Sequence, residues 1–99
     1  MLWQGSHRSA DEFFHVNALI EQFLDHVSLE HGLSPNTRAA YAQDLQSYER
    51  FLEGVGIRSF NNVTRRAVLD FLGSEKARGL CVSSISRRLV AVKIFHRYL

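Results

Sequence analysis

The sequence predicts an all-α fold, a compact bundle of four helices in one domain. Three observations carry that prediction. Apolar residues recur at helical intervals in four separate stretches, and no stretch alternates as a strand would. Residues suited to helix N-caps open these stretches, and glycines punctuate the intervals between them. The length of 99 residues supports one small core and is too short for two.

The first helix is expected from about Val16, with Asn17 as its cap and Leu19, Ile20, Phe23, Leu24 and Val27 as its stripe. Phe13 can join that stripe, and the helix should end at His31-Gly32. Residues 1–15 read as a flexible tail, in which Gly5-Ser6 fits a cloning remnant or a native extension. Ser34 then caps a second helix, Pro35 to about Glu53, with proline at the first position, where its missing N–H costs nothing. Tyr41, Leu45, Tyr48 and Leu52 form its stripe, with Phe51 beside them. Asn36, Thr37 and Arg38 are left in a first turn whose unpaired N–H groups favour anions.

Gly54-Val55-Gly56 follows a helix rather than opening one after a strand, so it reads as a cap and turn, not a phosphate cradle. After a connector at Ile57–Val63, Thr64 caps a third helix, Arg65 to about Arg78, closed by Gly79. Its expected stripe is Val68, Leu69 and Leu72 with Phe71 at the flank. Arg65 and Arg66 stand in its first turn, against the dipole preference for acids there. Ser83-Ser84 is the cap region of a fourth helix running to Leu99, with the stripe Ile85, Leu89, Val92, Phe95 and Leu99. Leu99 is still in phase with that stripe, so the sequence is expected to be a domain taken from a longer protein.

The net charge of +2 hides an asymmetry. Residues 1–54 carry three arginines against eight acids, a net −5; residues 55–99 carry nine cations against two acids, a net +7. No acid lies between Ser83 and Leu99, while Arg87, Arg88, Lys93 and Arg97 do. Such a local field suits nucleic acid and equally suits a solvated basic face; charge alone does not choose.

No apolar run approaches the roughly 18 residues of a membrane span, and the amino terminus has no signal-peptide core. A cytoplasmic chain without membrane association is the plain reading. Cys81 is the sole cysteine, so no internal disulfide or thiolate metal cluster forms, and its apolar neighbours suggest a small buried hydrophobe. His7, His15, His26, His31 and His96 lack the spacing of a zinc helix, so neither metal nor cofactor is expected. Tyr98 has His96 and Arg97 beside it, but neighbours on a helix point apart, and no catalytic constellation results.

The run from Leu33 to Leu52, Leu-Ser-Pro-Asn-Thr-Arg-x-x-Tyr-x-x-Asp-Leu-x-x-Tyr-x-x-Phe-Leu, resembles the opening of the amino-terminal core-binding domain of tyrosine recombinases, the phage-integrase and Xer-type enzymes. Ser83-Ser84-Ile85-Ser86-Arg87-Arg88-Leu89, then Phe95, Tyr98 and Leu99, continue the resemblance, which covers roughly Ala18 to Leu99. It implies a SAM-like helical domain that clamps duplex DNA, with strand cleavage assigned to a separate carboxy-terminal domain. The chain by itself is therefore expected not to be an enzyme.

By the same resemblance, the second and fourth helices face adjacent major grooves. DNA contacts then fall on Asn36, Thr37, Arg38 and Tyr41, and on Ser83, Ser84, Ser86, Arg87, Arg88 and Lys93. Arginine can pair with guanine or phosphate, serine and threonine with phosphate, and asparagine with adenine. Tyr41 also fits the core stripe, as an aromatic with an exposed hydroxyl. Other recombinase protomers on DNA are implied partners, met through the first helix with Phe13 or Phe14 as candidates, while the isolated domain is expected to be a monomer.

Two rivals remain on the residues alone. A SAM-like protein-interaction module shares the fold but has no use for an acid-free basic helix face. A helix-turn-helix regulator accounts for the short turn at Gly79–Val82 but leaves the Asn36-Thr37 helix start unexplained.

Overall fold

The computed structural model describes the backbone of residues 4–99 and the side chains of residues 18–99. Four α-helices follow in order among the described residues: α1 Gln4–His31, α2 Pro35–Gly54, α3 Arg65–Ala77 and α4 Val82–Tyr98, with a 3-10 turn at Phe60–Asn62. The all-α bundle is as the hydrophobic periodicity requires.

Two helix starts differ from expectation. α1 begins at Gln4 instead of near Val16, so Asn17 falls within the helix and not at its start. The intervening segment has no proline and contains Ala10 and Glu12, strong helix formers that let the helix continue upstream. The side chains of Phe13 and Phe14, candidates for protomer contacts, lie outside the described residues. α4 begins at Val82 with Cys81 in the cap position, one to two residues before the Ser83-Ser84 pair, and Cys81 makes no side-chain cap bond.

The other starts follow their capping chemistry. Ser34 Oγ accepts the Thr37 backbone N–H at 3.1 Å, and Thr64 Oγ1 accepts that of Ala67 at 3.1 Å. Each cap satisfies one of the donors that a helix start leaves open. α2 and α3 end alike: Ile57 N–H reaches Leu52 C=O at 2.9 Å, and Leu80 N–H reaches Glu75 C=O at 3.2 Å. The residues before them, Gly56 at φ +83° and Gly79 at φ +96°, occupy the left-handed conformation this closure needs.

The core draws on every helix: Ile20, Phe23, Leu24 and Val27 from α1, Leu45, Tyr48 and Leu52 from α2, Ala67 and Phe71 from α3, and Ala91, Val92 and Phe95 from α4. Phe95 sits at the centre, edge-on to Phe23 at 5.2 Å and to Phe60 at 4.9 Å. Phe60 is delivered by the 3-10 turn, which closes the bundle where Ser59 caps it.

α3 and α4 are rotated from their expected stripes. Phe71 is fully buried at the centre of α3, while Leu69 is half-exposed. On α4 the buried positions are Arg88, Ala91, Val92 and Phe95, and Leu99 is half-exposed. A charged residue stands on each core stripe, Glu75 on α3 and Arg88 on α4, and that is what turns the two stripes from the expected ones.

Candidate nucleic-acid interface

Among the described residues, α2 and α4 form the most extensive helix pair of the bundle. Asp44 of α2 meets Arg87 and Arg88 of α4, and further along both helices Tyr48 meets His96. Contacts that advance together along both chains mean that the helices run in the same sense. Their N-termini therefore lie at the same end of the bundle. That end carries Ser34, Asn36, Thr37 and Tyr41 from α2 and Ser83, Ser84, Ser86 and Arg87 from α4.

The ten candidate residues fare differently. Asn36, Ser83, Ser86 and Lys93 are exposed; Thr37, Arg38, Tyr41, Ser84 and Arg87 are half-buried. Arg88 is not on the surface. Its side chain is 7% exposed, with Nε 3.1 Å from Asp44 Oδ1 and Nη1 2.9 Å from Glu75 Oε1. The Glu75 contact is a close ion pair without the alignment of a hydrogen bond, since Nη1 finds no well-directed acceptor. Arg88 thus joins three helices from inside and is corrected from a DNA contact to a core cation. The cost of burying an unpaired charge keeps it there.

Arg38 turns toward α1. One guanidinium nitrogen lies 3.2 Å from Glu21 Oε1 and 3.0 Å from Asp25 Oδ1, both exposed acids. Its charge is locally cancelled, so it ties α2 to α1 more than it adds to the basic face. Arg87 stays at the α2–α4 seam, 37% exposed. Its Nε and Nη2 each donate to Asp44 at 2.8 Å, a two-pronged bond. The Asp44 bonds raise the Arg87 pKa further above its ordinary value, against a smaller opposing effect of burial.

Asp44 and Glu75 are the residues the sequence reading passed over. Asp44 is 0% exposed and Glu75 3%. Arg78 grips Glu75 through one nitrogen at 3.2 and 3.0 Å. An alternating chain results, Arg87–Asp44–Arg88–Glu75–Arg78, running from the seam to the end of α3. The signal was available: Asp44 precedes Tyr48 by four, Glu75 follows Phe71 by four, and Arg88 precedes Val92 by four. Each charge occupies the core stripe of its own helix, and the signs are complementary.

Lys93 stands apart from the helix starts. It lines a groove of about 590 Å³ between α3 and α4, with Arg65 and His96 among the other lining residues. Among the described residues, neither Lys93 nor Arg65 has an acidic partner in ion-pair range. At the inner side of this groove His96 Nε2 lies 2.7 Å from Tyr48 Oη. Burial lowers the His96 pKa below 6.5 and raises that of Tyr48, so a neutral phenol meets a neutral imidazole, and the imidazole tautomer sets which of the two donates.

Cys81 is exposed at the start of α4, a correction to its expected burial. Its Sγ lies 3.2 Å from Ser83 Oγ and 3.4 Å from Ser84 Oγ. Hydrogen bonds from Ser83 first, then Ser84, bring its pKa down to about 6. The stripe Leu80-Cys81-Val82 misled because a turn between two helices has no inward face. No group of three histidine, cysteine or acidic side chains of metal-holding size occurs among the described residues. No helix among them is long and apolar enough to cross a membrane.

Comparison with known proteins adds an independent line. The family model for the phage integrase N-terminal SAM-like domain matches residues 20–99. A tyrosine recombinase XerD of Pseudomonas aeruginosa is 41% identical over 80 residues, covering 81% of this chain and 26% of the relative. A XerD of Halalkalibacterium halodurans is 39% identical over 85 residues, 85% of this chain and 28% of the relative. A tyrosine recombinase XerC of Roseiflexus castenholzii is 39% identical over 84 residues, 85% of this chain and 27% of the relative. The chain thus spans about a quarter of the length of these curated relatives. No solved structure matches it.

Proposed function

Because the chain belongs to the phage integrase N-terminal SAM-like domain family, we propose that it is the DNA-holding part of a site-specific tyrosine recombinase. In this reading it grips duplex DNA across the starts of α2 and α4, in support of strand exchange carried out by a separate catalytic domain. The observation that carries this reading is the shared end of the two helices. That end holds two positive dipole ends, a set of hydroxyls and one anchored guanidinium, which is chemistry for phosphates.

Asn36, Thr37, Tyr41, Ser83, Ser84, Ser86 and Arg87 are the contacting set, with Lys93 beyond them along α4. Arg88 is withdrawn from it and Arg38 contributes little net charge. Most of these groups suit phosphate rather than base edges, so positioning dominates over sequence reading. Other protomers of the same recombinase, bound to the same DNA, are the accompanying protein partners, and the chain alone is monomeric. It acts where the DNA is, in the cytoplasm.

An NMR titration of the labelled chain with a short generic duplex tests this. Shifts concentrated at Asn36–Tyr41 and Ser83–Lys93 should appear at low salt and fade as salt rises, with affinity near the nonspecific range of about 10⁻⁴–10⁻⁶ M. A spectrum unmoved at low salt sinks the proposal.

A further inference from the structure

An arginine at the edge of a binding face is ordinarily a mobile side chain that loses rotamer freedom when it meets its ligand. Arg87 is already fixed. Its Nε and Nη2 take both oxygens of Asp44 at 2.8 Å, a bond that uses two of the five N–H groups and leaves those of Nη1 and one of Nη2 outside it. Asp44 cannot swing either. It is fully buried, and Arg88 Nε holds Oδ1 at 3.1 Å from inside the core. Arg88 is in turn pinned by Glu75 at 2.9 Å, and Glu75 by Arg78 at 3.0 Å. The fork of Arg87 therefore rests on a rigid chain of four further side chains drawn from α2, α3, α4 and the α3 cap.

We propose that Asp44 is a positioning residue for nucleic-acid binding, an acid behind the binding face that strengthens affinity for a polyanion by holding Arg87 in place. The inference rests on the reading that the α2–α4 end contacts duplex DNA. Simple charge counting points the other way, because removing an acid near a phosphate-binding surface should tighten binding. Asp44 is buried between two guanidiniums, so its field at the surface is already offset and its geometric effect dominates.

Fluorescence anisotropy of a labelled generic duplex, titrated with the chain at several salt concentrations, separates the two views. Asp44→Asn should bind about tenfold more weakly than wild type, with a salt slope shallower by about one as the Arg87 phosphate contact is lost. Arg87→Lys keeps the charge but cannot span both carboxylate oxygens. It should lose about tenfold too, within about threefold of Arg87→Ala. Asp44→Asn also loosens Arg88, so its melting is measured alongside. If it fails to fold, Arg87→Lys, which leaves Asp44, Arg88 and Glu75 untouched, decides the question. Asp44→Asn binding as well as wild type or better, or Arg87→Lys matching wild type, overturns the positioning role while the DNA reading stands. A wild-type chain that ignores the duplex at low salt overturns both.

Discussion

Replacing Arg88 with methionine is the sharpest test of the described interior. The side chain is 7% exposed and lies between carboxylates that are 0% and 3% exposed. Breaking a buried pair by removing one partner costs about 3–5 kcal/mol, because the other charge is left uncompensated. Here two acids lose a partner, but each keeps one: Asp44 retains Arg87 and Glu75 retains Arg78. Those remaining partners are 37% and 63% exposed, hence weaker, and methionine fills much of the arginine stem. The low end, about 3 kcal/mol, is the expected loss. For a chain of this size that is a fall in Tm of about 12–24 °C.

Urea unfolding should show the same loss as a lower midpoint at unchanged slope. Arg88→Met combined with Glu75→Gln should recover at least about 1 kcal/mol, since one buried charge left with only an exposed partner is gone. The folded fraction of Arg88→Met should lose less of the salt slope in duplex binding than Asp44→Asn does, since Asp44 keeps its two-pronged bond to Arg87. A stability loss below about 1 kcal/mol would falsify the buried network as described.

His96 should give the fold a pH dependence. Burial holds its folded pKa below 6.5, so the unfolded chain binds a proton that the folded one refuses. The stability from neutral His96 is complete above 6.5 and is lost as pH falls toward the depressed folded value. Melting of wild type and His96→Gln should converge as the pH drops from about 7.5 to about 5; parallel curves contradict the assignment. Cys81 should react with iodoacetamide along a pH profile with its midpoint at about 6, and Ser83→Ala should move that midpoint toward 9.0. A wild-type midpoint already near 9.0 refutes the hydrogen-bonded thiolate.

Most of the fold was legible in the sequence, and what was missed in the interior has one cause. Cap residues Ser34 and Thr64 and closing glycines Gly56 and Gly79 act locally, so local reading located them. Arg88 was assigned to the surface because arginine is rarely buried without a partner, and the partners are 44 and 13 residues away. Asp44 was read only as a motif position for the same reason. Once Arg88 is seen on the core stripe, α4 rotates and Leu89 and Leu99 move outward. The start of α1 was missed because Asn17 looks like a cap, while nothing in residues 6–16 breaks a helix. At the candidate interface, hydroxyl and amide positions could be proposed from the resemblance. Which arginine faces outward required the pairing across helices.

The same pairing constrains the order in which a ribosome can deliver this bundle. Asp44 and Glu75 emerge well before Arg88, so a nascent chain that ends short of α4 brings two carboxylates to an apolar seam with no interior cation between them. It also lacks Ala91, Val92 and Phe95, against which Phe23 and Phe60 close. At about 5–20 residues per second, Glu75 waits on the order of a second for Arg88 and Asp44 several seconds. Lacking these α4 contacts, the first three helices alone should not hold the docked arrangement of the full bundle.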